Sequence, residues 1–169
     1  MPETLAVAAL VGEHLLARGW KLATAESCTG GMVAAAVTDI AGSSAWFERG
    51  FVTYSNESKI ELLGVPADVI ATRGAVSEET ARAMAEGALR KSHAQISVAI
   101  TGIAGPGGAV PGKPVGTVCF AYSRQSKAGG FDTQSETMHF DGDRAAVRNC
   151  SVMHALEGLL GFDSAHPPA

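Results

Sequence analysis

Residues 96–100 read ISVAI and run straight into a stretch rich in glycine and proline at 101–114. An apolar run of this length, closed by turn residues, marks a strand covered on both faces. Such a strand requires helices above and below its sheet, and the rest of the chain supplies them. Leu5, Ala8, Ala9, Gly12, Leu15 and Leu16 recur at helical spacing with Gly19 as a stop, predicting a helix over 5–18. Strands are predicted over 21–27 and 46–54, with an alanine-rich helix over 30–38 between them. A short helix over 56–63 stops at Gly64, and Pro66 opens a further brief helical turn. Ser77 is a good N-cap, Glu78 and Glu79 suit the first turn, and Ala81, Met84, Ala85, Ala88 and Leu89 share one face of the helix that follows. Strands over 116–123 and 134–140 flank a polar turn at 124–130 and are expected to pair antiparallel. Asp143 starts a last helix to about residue 160. Strands interleaved with helices, and ending in an antiparallel pair, predict an α/β domain with a mixed sheet and helices on both faces. A single domain over 1–163 and a frayed tail over 164–169, ending in Pro-Pro, complete the expectation.

Composition removes several function classes. The chain has 169 residues, 46% apolar and 18% charged, which is ample for a core and too weakly charged for disorder. Its formal charge is −4 and lysine and arginine form no cluster, so a nucleic-acid partner is not expected. Cys28, Cys119 and Cys150 are odd in number and lack CxxC spacing, which argues against a disulfide framework and a cysteine-rich zinc site. The N-terminus carries Glu3 and no basic region, unlike a signal peptide. No apolar run approaches the ~20 residues of a membrane span. A soluble, cytoplasmic protein without a metal or cofactor is therefore expected.

In α/β sheets, ligands bind beyond the carboxyl ends of strands, and two glycine-bearing junctions fall there. AESCTGG at 25–31 joins a strand to a helix, and TGIAGPGG at 101–108 follows the buried strand. Neither is a Walker A loop or GxGxxG. Both can aim backbone N–H groups at an anion or an oxyanion, and both can equally be tight turns whose glycines supply positive φ.

The first junction carries Ser27, Cys28 and Thr29 in a row. A serine at a strand-to-helix turn suits acyl transfer, although a helix cap competes for the same position. Cys28 suits a buried small hydrophobe, and Thr29 suits a cap or a substrate contact. A serine nucleophile needs a base. His14, His93, His139, His154 and His166 lie mid-helix, at element ends or in the tail, which points away from a Ser-His-Asp arrangement and toward Ser-Lys. Lys59, in TYSNESK at 53–59, is the candidate, provided that burial or nearby positive charge lowers its pKa from about 10.4; an exposed helix lysine is the commoner fate. Tyr54 can relay a proton or orient the amine. Arg144 and Arg148, one turn apart after Gly142, can clamp a phosphate or carboxylate, or simply pair with acids.

Taken together, AESCTGG at 25–31, the run from AGSS at 41–44 to FVTYSNESK at 51–59, GAVS at 74–77, TGIAGPGG at 101–108, KPVGTV at 113–118 and GDR at 142–144 resemble the CinA C-terminal domain family. The resemblance spans about residues 5–160. It suggests a stand-alone member without the nucleotide-pyrophosphatase-like domain found in longer family proteins. It implies a three-layer α/β/α sandwich, self-association into a homo-oligomer, and metal-free hydrolysis of nicotinamide mononucleotide to nicotinate mononucleotide and ammonia in pyridine-nucleotide recycling. Carried over by motif, Ser27 would be the nucleophile, with Lys59 and Tyr54 assisting. Substrate would be held by Cys28, Thr29, Gly30 and Gly31 of the first loop, by Thr101, Gly102 and Gly105 of the second, and by Arg144. N–H groups of the 28–31 turn would stabilise the oxyanion. The alternative is a nucleotide- or partner-binding module without turnover, linked to competence.

Overall fold

The computed structural model describes residues 2–165. In chain order it contains α1 (Pro2–Arg18), β1 (Leu22–Glu26), α2 (Met32–Thr38), a 3-10 turn (Ser43–Ala45), β2 (Phe47–Val52), α3 (Asn56–Leu63), α4 (Ala67–Arg73), α5 (Glu78–Arg90), β3 (Ile96–Gly102), β4 (Thr117–Gln125), β5 (Phe131–His139) and α6 (Arg144–Ala165). The strands form a five-stranded sheet in the order β2-β1-β3-β4-β5. β1 runs parallel to both β2 and β3, whereas β3–β4 and β4–β5 are antiparallel. The sheet is mixed, as the sequence predicts.

Side chains alternate across the sheet, and the two faces differ in bulk. Leu22, Ile96, Val98, Ile100, Val118, Phe120 and Tyr122 point to one side and pack with α1, α2 and α6. Ala23, Ala25, Ala99, Cys119 and Ala121 point to the other and pack under Ala81, Met84, Ala85, Ala88 and Leu89 of α5. Small residues on this second face let α5 lie close to the strands, and the Ser97 hydroxyl donates to the Ala85 carbonyl at 2.7 Å. α5 also abuts the end of α3: a Cβ at Gly87 would overlap the Leu63 carbonyl oxygen. Helices on both faces of one sheet make the three-layer α/β/α sandwich.

Several element boundaries depart from the sequence expectation, three of them for a visible reason. The helix expected from residue 30 starts at Met32, because Gly30 and Gly31 adopt left-handed φ values of 58° and 103°. The last strand starts at Phe131 rather than 134, because the preceding turn is tight: the Ser126 N–H donates to the Gly130 carbonyl at 2.9 Å. α6 continues to Ala165, so Ser164 and Ala165 are helical where a frayed tail is expected. Arg18 of α1 holds this end through an ion pair to the buried Asp163 at 2.8 Å, and the Ser164 hydroxyl donates to the Leu160 carbonyl at 2.9 Å. The remainder of the expected tail, 166–169, lies outside the described residues. Among the described residues, no helix is long and apolar enough to cross a membrane.

Candidate active site

Strand order 2-1-3 sends the chain to opposite sides of β1. α2 covers one face on the way to β2, and α3 to α5 lead back along the other side to β3. The carboxyl end of β1 is therefore a topological switch point, where α/β sheets open a crevice. A cleft of about 270 Å³ lies there. Its lining includes Ser27, Cys28, Tyr54, Asn56, Lys59 and Arg144. Both glycine-rich junctions reach the crevice, but they do not contribute equally.

Ser27 extends β1 by one residue, its N–H donating to the Ile100 carbonyl at 2.9 Å. Lys59 comes from the second turn of α3. That helix is fixed at its start by Ser55, whose hydroxyl accepts the Ser58 N–H at 3.0 Å, and at its end by Gly64 in the left-handed region. Pairing of β2 with β1 brings this helix start beside the β1 terminus, and the Thr53 N–H donates to the Glu26 carbonyl at 2.8 Å. As a result the Lys59 amine lies 3.0 Å from the Ser27 hydroxyl. Lys59 is 1% exposed, so it is not an ordinary surface lysine. Its amine also donates to the carbonyls of Thr53 at 2.9 Å and Tyr54 at 3.1 Å, with the Ser55 carbonyl farther away at 3.5 Å. Burial pushes its pKa below lysine's ordinary value, and the nearby Cys28 opposes that shift. A neutral amine has two N–H donors and one lone pair. The two closer carbonyls take the donors, which leaves the lone pair for the Ser27 O–H.

Tyr54 supports this arrangement through its main chain. Its phenol accepts a hydrogen bond from Arg144 at 3.1 Å, and the ring is 62% exposed at the mouth of the cleft. The side chain expected to relay a proton thus faces the arginine. Arg144, at the start of α6, also donates to the Gly105 carbonyl at 2.8 Å. It links the end of β2, the loop after β3 and α6 across the cleft. Thr101 and Gly102 line the floor. The Thr101 hydroxyl donates to the Ala75 carbonyl at 2.8 Å. A Cβ at Gly102 would press on Val118, 2.8 Å away, and on the Cys28 sulfur, 3.1 Å away, so glycine is needed for space there.

Cys28 lines the cleft as a protonated thiol, since burial raises its pKa to about 11. Thr29, Gly30 and Gly31, which the resemblance places at the substrate, are not among the residues that line this cleft. Thr29 is fully buried, and its hydroxyl has no partner among the described residues. A Cβ at Gly30 would come to 3.5 Å from Arg148, and one at Gly31 to 3.5 Å from Val52. The Gly30 N–H closes the turn onto the Ser27 carbonyl at 3.1 Å. Arg148 donates to the Cys28 carbonyl at 3.1 Å and braces the turn from behind.

Beyond the 28–31 turn, the first amides of α2 are occupied by a side chain that the sequence does not single out. The Glu26 carboxylate accepts the Val33 N–H at 2.9 Å and the Ala34 N–H at 3.1 Å. Glu26 is 1% exposed. Its sequence signal is a lone acid at the end of an otherwise uncharged strand, seven residues before Val33. Glu26→Ala leaves two amides without partners and is expected to destabilise the protein by about 3 kcal/mol. Chemical denaturation checks this: the midpoint should fall at constant slope, and an unchanged midpoint would remove Glu26 from this role. Asn56, Ala75, Val76 and Ile103 also line the cleft and were not singled out from sequence. Among the described residues, no group of three or more His, Cys, Asp or Glu side chains is placed to hold a metal ion.

Comparison with known proteins agrees with this architecture. The CinA C-terminal domain matches residues 4–162. A putative competence-damage inducible protein of Symbiobacterium thermophilum is 54% identical over 90% of the chain, which spans 38% of that relative's length. The nicotinamide-nucleotide amidohydrolase PncC of Escherichia coli K12 is 52% identical, covering 93% of both chains, and the protein of the same name from Pseudomonas putida is 50% identical over 91% of this chain and 93% of its own. The crystal structure of a competence damage-inducible protein from Klebsiella pneumoniae superposes with a TM-score of 0.90 at 40% identity, covering 98% of this chain and 99% of that one. By family match, by identity over most of its length and by fold, the chain belongs to the CinA C-terminal domain family.

Proposed function

We propose that the chain hydrolyses the carboxamide of nicotinamide mononucleotide to nicotinate mononucleotide and ammonia, through an acyl-enzyme on Ser27 with Lys59 as the base. The observation that carries the reading is the buried Lys59 amine, 3.0 Å from the Ser27 hydroxyl in a cleft at the switch point of the sheet. The substrate is taken from the relatives that bear the name nicotinamide-nucleotide amidohydrolase at 50–52% identity.

The steps follow from the geometry. The neutral Lys59 amine takes the Ser27 proton as the Ser27 oxygen attacks the carboxamide carbon. The tetrahedral intermediate collapses when Lys59 returns that proton to the leaving nitrogen, which departs as ammonia. Water then attacks the Ser27 ester with Lys59 again as base, releasing the carboxylate and restoring the serine. Thr29 has no base beside its hydroxyl and Cys28 is a protonated thiol, so both are weaker nucleophile candidates. The Arg144 fork has five donors, of which two bonds are taken by Gly105 and Tyr54, and the rest suit the substrate phosphate. A module that only binds has no use for a lysine buried against a serine, which favours turnover.

Incubating the purified protein with nicotinamide mononucleotide and EDTA tests the reading. Ammonia and nicotinate mononucleotide are expected in equal amounts. Absence of both with folded protein would remove the proposed substrate.

A further inference from the structure

Nicotinamide mononucleotide and its product share the phosphate that Arg144 suits, and they differ in one group, a carboxamide against a carboxylate. A preference for the substrate at that end needs an uncharged group with both a donor and an acceptor.

Most nitrogen- and oxygen-bearing side chains of the lining already make hydrogen bonds within the protein. Ser27 is engaged with Lys59. Thr101 is engaged with the Ala75 carbonyl. Tyr54 and Arg144 are engaged with each other, and Arg144 also with the Gly105 carbonyl. Asn56 is the one primary amide of the lining, and among the described residues its side chain has no hydrogen-bond partner. Its place in α3 fixes where it stands. It opens the helix three residues before Lys59, so the two share a helix face. Lys59 runs inward to Ser27, and Asn56 stands one turn nearer the rim of the same cleft.

We propose that Asn56 reads the carboxamide of the substrate and sets the preference for carboxamide over carboxylate; the assignment rests on the amidase reading above. A primary amide is self-complementary. The Asn56 Nδ2–H donates to the substrate carbonyl, and the substrate NH₂ donates to Oδ1. With a carboxylate in the same place, the Nδ2–H bond is kept while Oδ1 faces a second acceptor, so the gain from one contact is cancelled by the other. Asn56 is thus a specificity residue for the ground state, separate from the proton transfer carried by Lys59.

Two substitutions with opposite expected signs test this. Binding of nicotinamide mononucleotide and of nicotinate mononucleotide is measured by titration calorimetry in Ser27→Ala, where turnover is blocked, with and without a change at Asn56. Asn56→Ala removes two bonds from the substrate and no net attraction from the product. The ratio of substrate Kd to product Kd should rise about tenfold. Asn56→Asp sets an anion against the product carboxylate, so the ratio should fall below that of the parent. Asn56 is exposed, so neither change disturbs the core. A ratio unchanged in both variants, or both ligands weakened by one common factor, would overturn the proposal. If the wild type turns over nicotinamide mononucleotide and the ratio is unchanged, only the role of Asn56 is lost. If the wild type releases no ammonia, the amidase reading falls and this assignment falls with it.

Discussion

Ser27→Ala is expected to lower turnover of nicotinamide mononucleotide by about 10⁴-fold or more while leaving its binding near the wild-type value. Losing the nucleophile of a covalent mechanism costs about 10⁴–10⁶-fold in comparable hydrolases. Binding should survive because the proposed ligand contacts, Arg144, Asn56 and the loop after β3, do not pass through the serine hydroxyl. The substitution is also mild structurally. Ser27 is 7% exposed, its backbone bond to Ile100 needs no side chain, and the Lys59 amine keeps the Thr53 and Tyr54 carbonyls. Turnover and binding are read separately, by ammonia release and by calorimetry. Loss of both would mean that the turn at 27–31 had collapsed. Survival of turnover would move the nucleophile to water or to another side chain.

Lys59→Met should cost about 10³-fold or more in kcat, and the pH profile of the wild type should show why. Only the neutral amine can accept the serine proton. Burial holds its pKa below the ordinary 10.5, so the neutral fraction grows as pH climbs through a value lower than that. Accordingly, kcat/KM should rise with pH on one ionisation and level off above it. Below that pKa the ammonium has no lone pair to offer, and turnover should fall tenfold per pH unit. Lys59→Arg keeps a cation but not a titratable base, and should be as inactive as the methionine variant. A kcat/KM that is flat with pH, or an active arginine variant, would show that Lys59 only positions the serine. Methionine fills a similar volume without placing a charge in the interior, so the fold should persist.

Much of the architecture is legible in the sequence because it rests on local pattern. The apolar run at 96–100, the Ser77 cap with its two glutamates, and the glycine stops at 19 and 64 each act within a few residues, and the structure places them as expected. The strand-to-helix turn at 25–31 is harder. Its glycines announce positive φ but not which residues of the turn reach the cleft: Ser27 and Cys28 line it, and Thr29, Gly30 and Gly31 are not among its lining residues. The role of Glu26 at the start of α2 is hidden for a similar reason. An exposed helix start would welcome an anion, but Glu26 folds back from the strand end and fills it.

The site follows the same division. Ser27 and Lys59 are 32 residues apart, and no spacing rule joins them. Parallel pairing of β1 with β2 joins them, a long-range event that local periodicity does not encode. Tyr54 shows the limit of reading by residue type. Its phenol reads as a proton relay or a group that orients the amine, and the part that touches Lys59 is its carbonyl, which any residue would supply. Asn56 went unnoticed for the opposite reason: its neighbours Tyr54 and Lys59 carry familiar chemistry and it does not.

The acyl-enzyme itself can be tested in one assay, by following ammonia release from nicotinamide mononucleotide in EDTA with increasing hydroxylamine. If Ser27 carries the acyl group, ammonia leaves before the second nucleophile acts. The rate of ammonia release should then stay constant, or level off at the rate of acylation, while nicotinate mononucleotide gives way to its hydroxamate. A release rate that climbs in proportion to hydroxylamine, or a product that remains carboxylate throughout, would contradict a covalent intermediate on Ser27.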